Sequence, residues 1–426
     1  MDRPIILHIL SRAQWDFAKR SGTYRPPSLE AEGFIHCSAI GQVIDTANLF
    51  YRAQPDLLVL RIDQRKLTSR LVFEAPVTAS DTRPRTLFPH LYGPLNLDAV
   101  IDATELPCAT DGSFRLPAAL GDAPRPLEME TRRLGRTGFA VNVLGFGASE
   151  IGYQNVAAGT VGKLLNSALD AGLNVIDTAA CYDTSEELIG AAVGHRRSDY
   201  LLFTKCGHAS GLPVDDWTPA LIELSLVRSL KRLRTDYIDL LQFHSCAGGT
   251  LRDDDLIAAL VRAREKGLAR AIGYSGDGAD ALYAVETGVF DTLQISVNIA
   301  DQEAIDLAIP AAAARDMGII AKRPIANAAW LFSRWRIGDY EKPYWRRLKR
   351  LNYDFIRADP KGAVRTALRF TLAVPGVDVA IIGTSRPSRW AENAAFAADG
   401  ALPRAQFDAI RARWLITAKS DWIGLR

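Results

Sequence analysis

From residue 129 onward the chain alternates between two hydrophobic patterns. Short apolar runs at Val143–Gly147, Asn174–Thr178, Tyr200–Lys205, Tyr237–His244, Ala269–Ser275, Thr292–Asn298, Gly318–Pro324 and Val379–Thr384 have the length and composition of buried strands. Between most of them apolar residues recur every three or four positions, as in Ala220–Leu233 and Leu256–Lys266, which is the spacing of one helical face. Eight such strand–helix repeats over roughly 300 residues predict an α/β fold, a (β/α)8 barrel rather than an open sheet. Thr131–Val141, ahead of the first strand, is predicted to form a hairpin that plugs the end of the barrel opposite its site.

The first quarter is patterned differently. Strands at Ile5–Leu10, Leu57–Ile62 and Val100–Glu105, with helices around Arg12–Ser21 and Ile40–Tyr51, predict a separate small α+β domain. Leu116–Glu130 contains Pro117, Gly121, Pro124 and Pro126 and has the composition of a linker. The expected organisation is a domain over 1–118, a linker over 119–130 and a barrel over 131–426. The stretch from Met129 to Gly138 resembles the start of a free-standing protein, which suggests a gene fusion.

Three barrel strands end on polar residues: Asp177, Lys205 and His244, with Tyr182 five positions after Asp177. Barrel active sites lie at the C-terminal ends of the strands. The four residue types suit acid–base chemistry. A phenol with a pKa near 10 is a reluctant proton donor, a neighbouring ammonium lowers that value, a carboxylate fixes the ammonium, and a histidine orients a carbonyl oxygen.

Composition is that of an ordinary globular protein, 48% hydrophobic and 23% charged with a net charge of +2. Residues 1–120 hold 13 basic and 13 acidic side chains, leaving 38 and 36 for the rest, so neither part carries the basic surplus of a nucleic-acid binder. Five cysteines (37, 108, 181, 206 and 246) form no Cys-x-x-Cys pair, and neither a metal cluster nor a disulfide framework is expected. The first residues do not have the pattern of a secretory leader, and no apolar run is long enough for a membrane span. A cytoplasmic location without membrane or nucleic-acid partners is the expectation, and a homo-oligomer is compatible with it.

Residues 130–420 closely resemble the aldo-keto reductase family. The stretches that carry the resemblance are Arg133-Leu-Gly-Arg-Thr-Gly138, Leu144-Gly-Phe-Gly147, Asn174-Val-Ile-Asp-Thr-Ala179 with Tyr182, Phe203-Thr-Lys205, Ser229–Leu240, His244, Ile272-Gly-Tyr-Ser275 and Ile382–Pro387. The resemblance implies NADPH-dependent reduction of an aldehyde or ketone, or the reverse oxidation. Tyr182 is then the general acid with its pKa lowered by Lys205, Asp177 fixes Lys205, and a neutral His244 orients the carbonyl. It also implies a nicotinamide near Ser275 and Gln294. Gly383, Thr384, Ser385, Arg389 and Asn393 would form an anion site at a helix N-terminus, where Arg389 could fork onto a 2′-phosphate, favouring NADP. Two departures stand out. Val297 and Gly276 replace the aromatic and Asn residues that many members use at the nicotinamide, and Lys322 and Arg323 are candidates for the missing contact. An NADP(H)-binding sensor with little turnover, or a bifunctional fusion, are the competing readings.

Ala326–Ala358 interrupts the barrel after its seventh strand and carries Trp330, Phe332, Trp335, Tyr340, Tyr344, Trp345, Tyr353 and Phe355 among several Arg and Lys residues, including Arg334 and Arg336. One reading is a lid favouring an aromatic or anionic carbonyl substrate. The other is a pair of amphipathic helices with the aromatics packed inward. Cys181, Cys206 and Cys246 lie near the candidate site as packing residues or as a redox switch.

In the small domain His8, Gly33-Phe-Ile-His-Cys-Ser38 and Phe88-Pro-His-Leu-Tyr-Gly-Pro94 stand out, and they carry a resemblance to the DUF952 family. That family's layout looks distantly like ADP-ribosyltransferases and RNA 2′-phosphotransferases, an analogy of fold alone. His8, His36 and His90, with Tyr92 and Glu74, are expected to converge on a site that binds or acts on a nucleotide. A three-histidine zinc site, or histidines that only satisfy a core, are the alternatives.

Overall fold

The computed structural model describes residues 5–75, 87–117, 120, 129–333, 335 and 337–425. It contains two compact units, Met1–Arg125 and Pro126–Arg426. Of the expected linker, all but Leu120, Met129 and Glu130 lies outside the described residues, as do Arg334 and Arg336.

The first unit has eight described strands: β1 (Ile5–Ser11), β2 (Thr23–Tyr24), β3 (Ile35–His36), β4 (Leu57–Asp63), β5 (Arg70–Glu74), β6 (Phe88–Tyr92), β7 (Leu95–Asn96) and β8 (Val100–Leu106). They form the sheets β1-β4-β8, β3-β6-β5 and β2-β7, all with antiparallel pairing. The near-continuous apolar run of β1 follows from burial on both faces. Ile6 and Leu10 join Leu58, Leu60 and Ile62 in a core with Tyr24, Ile35 and Leu91. Leu7 and Ile9 join Leu57 and Val59 against Val43 and Ala47 of the helix Val43–Phe50. Helix Arg12–Ser21 begins with a capping box between Ser11 and Gln14 and ends at Gly22 in the left-handed region, φ 77°.

The second unit opens with the hairpin β9 (Thr131–Arg133) and β10 (Ala140–Asn142). Eight parallel strands follow: β11 (Leu144–Gly147), β12 (Val175–Asp177), β13 (Leu201–Cys206), β14 (Ile238–His244), β15 (Ala269–Ser275), β16 (Thr292–Ser296), β17 (Gly318–Lys322) and β18 (Val379–Gly383). They close in sequence order, β18 pairing back onto β11. Helices including Ala158–Asp170, Ser185–Val193, Pro219–Leu233 and Asp254–Glu265 lie between strands and bury their apolar stripes. The hairpin plugs the barrel floor: Leu134, Phe139 and Val141 pack with Val175, Phe203, Leu240, Ala271, Ile320 and Val379. Gly135 makes that closure possible. It has φ 44°, and a Cβ there would come within 2.1 Å of the Gly318 amide nitrogen.

Candidate active site

Side chains of a strand alternate between its two faces. The floor residues Val175, Phe203, Leu240 and Ile320 point into the barrel. Two positions further on, the same strands present Asp177, Lys205, Gln242 and Lys322. One apolar layer therefore supports one polar layer at the C-terminal rim.

Lys205 Nζ lies 2.5 Å from Asp177 Oδ1 and donates to the Thr178 carbonyl at 2.8 Å. Both side chains of the pair are buried. Gln242 Nε2 donates to Asp177 Oδ2 at 3.4 Å, and Gln294 Nε2 to Oδ1 at 3.3 Å. A buried ion pair persists when its remaining valences are met in this way. Burial raises the pKa of Asp177, and the Lys205 ammonium works against that rise.

Tyr182 sits over this pair, with Lys205 Nζ 5.3 Å from its ring centre. Its ring meets His244 edge-to-face at 5.5 Å and Tyr153 at 5.5 Å. Burial, followed by the Asp177 carboxylate, pushes the phenol well above its ordinary pKa of 10. The expectation that Lys205 lowers this pKa is thus corrected, because burial dominates and Asp177, which matches the ammonium at 2.5 Å, adds its own charge. His244 is held well below 6.5 by burial and by Lys205 and Lys322, which leaves it neutral at pH 7. Its Nδ1 lies 3.1 Å from Cys181 Sγ.

Around the rim, Ser275 is in register with His244 and with Gln294. Gln294 Oε1 is buried and has no hydrogen-bond partner among the described residues. Lys322 Nζ pairs with Asp277 Oδ2 at 2.8 Å. Arg323 donates to the Tyr340 hydroxyl at 2.7 Å, to Ser296 Oγ at 2.8 Å and to the Leu425 carbonyl at 2.5 Å. Gly383, Thr384 and Ser385 follow at the end of β18, and a Cβ on Gly383 would come within 3.1 Å of the Gly147 carbonyl. Arg389 is exposed in the first turn of helix Pro387–Ala398, and Asn393 in the same helix is buried, its Oδ1 without a partner among the described residues.

The two departures from the family pattern, Gly276 and Val297, have structural causes. Tyr274 folds over Gly276, where a Cβ would come within 2.4 Å of the phenol oxygen, and the Tyr274 hydroxyl donates to the Cys246 carbonyl. Val297 is wholly buried in the outer core with Ile295 and Ile299.

The insertion is mostly architecture. Tyr344 and Tyr353 are buried, and Trp330 and Trp345 donate to the carbonyls of Pro360 and Phe332. Arg347 is internal, 3.5 Å from Asp301. Tyr340 reaches the rim through Arg323, whereas Trp335 is 90% exposed. Tyr344, Trp345 and Phe355 lie in a pair of helices, Lys342–Leu351 and Asp354–Ala358, as the amphipathic reading expects, while Tyr340 keeps a place at the rim.

Sequence reasoning missed Gln242, Tyr153, His208 and Asp277. Gln242 was detectable as a polar residue two before His244 in an apolar strand. His208, which contacts the His244 carbonyl at 3.1 Å and Asp216 at 3.0 Å, is a loop residue without such a signal.

In the first unit the three histidines do not converge. His8 Nδ1 donates to the His36 carbonyl at 2.6 Å, and Nε2 meets the Tyr24 hydroxyl at 2.9 Å, so neither nitrogen is left for a ligand. Among the described residues no group of three or more His, Cys, Asp or Glu is arranged to hold a metal. Burial lowers the pKa of His8 from 6.5 to about 4. On acidification the unfolded chain binds this proton first, so its contribution is complete above pH 6.5 and is lost as the pH falls from 6.5 towards 4. The expected loss is about 3 kcal/mol. Protection factors of the β1 amides, taken relative to the intrinsic exchange rate at each pH, should fall over that window in the wild type and much less so in His8→Gln.

Residues 143–414 match the family model described as Aldo/keto reductase family. The chain belongs to the aldo/keto reductase family. This aldo/keto reductase barrel is 28% identical to L-galactose dehydrogenase of Arabidopsis thaliana over 63% of this chain and 88% of that one. It is 29% identical to D-threo-aldose 1-dehydrogenase of a Pseudomonas species over 61% and 91%. An aldo/keto reductase structure from Klebsiella pneumoniae, in complex with NADP and acetate, shares the fold with a TM-score of 0.55, 23% identity and coverage of 70% and 100%. Residues 9–103 match a second model, described as Protein of unknown function (DUF952). No described helix is long and apolar enough to cross a membrane.

Proposed function

We propose that the barrel is an NADP(H)-dependent oxidoreductase interconverting a small carbonyl compound and its alcohol, with a neutral aldose as the substrate class. The observation that carries this reading is the buried Lys205–Asp177 pair at 2.5 Å, with the Tyr182 and His244 rings beside it on the rim. The names of the two relatives, both dehydrogenases of aldoses, support the substrate class. So does a mouth that offers Trp217 and the His208–Asp216 pair, features suited to a sugar's apolar face and hydroxyls.

The residues present fit NADP. Gln294 Oε1 and Asn393 Oδ1 are buried acceptors that lack donors among the described residues, suited to a carboxamide and an adenine amino group, and Ser275 adjoins the former. Arg389 stands at the start of a twelve-residue helix, where a phosphate is favoured by the free amides and the guanidinium fork. When bound, the cofactor supplies or accepts hydride. This chain's residues handle the proton. Tyr182 holds it at neutral pH, because its pKa is raised, and releases it to a developing alkoxide that is more basic still. The neutral His244 donates to the same oxygen and orients it, and Lys205 with Asp177 fixes the charge behind the phenol. In oxidation the substrate hydroxyl gives its proton back to the Tyr182 phenolate oxygen as hydride leaves the carbon.

A tight NADP(H) sensor is the second reading, favoured by the absence of an aromatic at Val297. Mixing the protein with NADP+ and a panel of aldoses should reduce one cofactor per sugar oxidised. NAD+ should serve less well, and Arg389→Ala should narrow that preference. Bound cofactor without hydride transfer to or from any aldose or simple aldehyde would favour the sensor.

A further inference from the structure

The sheet β3-β6-β5 has two unlike faces. Ile35, Leu71, Phe73 and Leu91 face the core. The other face follows from the register, in which His36 is opposite His90, Arg70 opposite Tyr92 and Glu74 opposite Phe88. It carries two imidazole–carboxylate pairs. His90 Nδ1 donates to Glu74 Oε1 at 3.0 Å, and His36 Nε2 donates to Glu32 Oε2 at 2.9 Å. The two imidazoles stand edge-to-face, 5.2 Å between centres. Tyr92 donates to the same Glu74 oxygen at 2.5 Å, and Phe34 stacks on His90 at 4.1 Å. The second nitrogen of each histidine, Nε2 of His90 and Nδ1 of His36, has no hydrogen-bond partner among the described residues.

We propose that this face is a second active site, in which His90 as general base and His36 as general acid open a neutral, polyhydroxylated cyclic ester. The choice of a lactone rests on the aldose reading of the barrel, since oxidation of a cyclic aldose at its anomeric carbon yields a lactone. The acid–base assignment rests on this face alone. A carboxylate on one imidazole nitrogen fixes the tautomer and leaves the other nitrogen as the working atom. Burial of His90, which is 2% exposed, lowers its pKa and keeps it a base at neutral pH. Glu32 and Glu74 face the pair with Arg70 as the cation, 6.0 Å from the Tyr92 ring centre. Two carboxylates beside one guanidinium disfavour an anionic ligand and accept hydroxyl hydrogen bonds. The rings of Phe34 and Tyr92 supply the flat apolar surface that a sugar covers.

In the step, a water oxygen bonds to the ester carbonyl carbon while His90 Nε2 takes the water proton. The ring C–O bond then breaks, and His36, which enters as the imidazolium with a second proton on Nδ1, passes that proton to the departing oxygen. The proton gained by His90 returns through solvent to His36, which restores both histidines, and the open-chain hydroxy acid ionises separately, releasing one proton per ester opened. Glu74 and Glu32 are positioning residues.

The test uses the full chain without nicotinamide cofactor and follows proton release from γ-lactones of aldonic acids. Release should exceed that in buffer and should fall at least about 100-fold in His90→Gln and in His36→Gln. It should persist in Tyr182→Phe. His36 is half-exposed, so its variant keeps the fold if His90→Gln does not. Glu74→Gln should shift the acidic limb of the pH–rate profile, an effect that loss of packing alone does not produce. No release above buffer from any of the lactones, or equal release in a folded His36→Gln, would overturn the proposal. Aldose oxidation by the barrel is measured separately, so failure of one reading leaves the other standing.

Discussion

Tyr182→Phe is expected to lower kcat and kcat/KM of the barrel together by about 10²–10⁴-fold, the range that a positioned general acid supplies. Only one oxygen is removed. The ring keeps its contacts with His244 and Tyr153, so the fold and substrate affinity should survive. The hydroxyl is protonated at neutral pH, so the variant removes the proton that the reduction draws on. An alkoxide formed by hydride transfer is more basic than the phenolate left behind, so the proton still moves downhill. Single-turnover kinetics with saturating cofactor would show the effect directly, and a wild-type rate would mean that another group donates.

Lys205→Met should destabilise the barrel by about 3–5 kcal/mol, as expected when one partner of a buried pair is removed and the other charge remains. Asp177 would then keep only the two weak amide contacts from Gln242 and Gln294. The carboxyl would respond by holding its proton, so the deficit should be largest at alkaline pH and shrink on acidification. Adding Asp177→Asn should recover most of the lost stability, since both charges are gone, while activity stays lost. Denaturant unfolding of the two single variants and the double variant completes the cycle. Equal stability of Lys205→Met and the double variant would show that the buried charge is not the source of the deficit.

The barrel was largely legible in the sequence because its strands are buried on both sides and read as unbroken apolar runs. The same two-residue period that fills the floor with Val175, Phe203 and Leu240 places Asp177, Lys205 and Gln242 above them, so the polar layer is written in the strand ends. The state of Tyr182 was not legible. Whether an ammonium lowers a phenol's pKa depends on how deeply the phenol is buried and on what else the ammonium touches, and here burial, with Asp177 at 2.5 Å from Lys205 adding to it, reverses the expected sign. In the first unit β5 and β6 escaped notice because Phe88-Pro-His-Leu-Tyr carries a proline, which argues against a strand interior, and a polar outer face. The roles of the three histidines depended on pairing: His8 lies in β1 beneath the His36 backbone, whereas His36 and His90 meet across two strands distant in sequence. The aromatic-rich insertion misled for a related reason. Composition does not distinguish rings that line a mouth from rings that hold two helices down.

The last described residues of the chain are tied into the rim. Arg347 donates to the Ile423 carbonyl at 2.6 Å, Arg323 donates to that of Leu425, and Gly424 lies so close to Asp277 that a Cβ there would come within 2.3 Å. The rim therefore leans on a segment that belongs to none of the barrel's strands. Deleting residues 423–425 would strip Arg323 and Asp277 of these neighbours while leaving every barrel element in place, so a loss of activity with the barrel's circular dichroism unchanged would measure what the segment contributes.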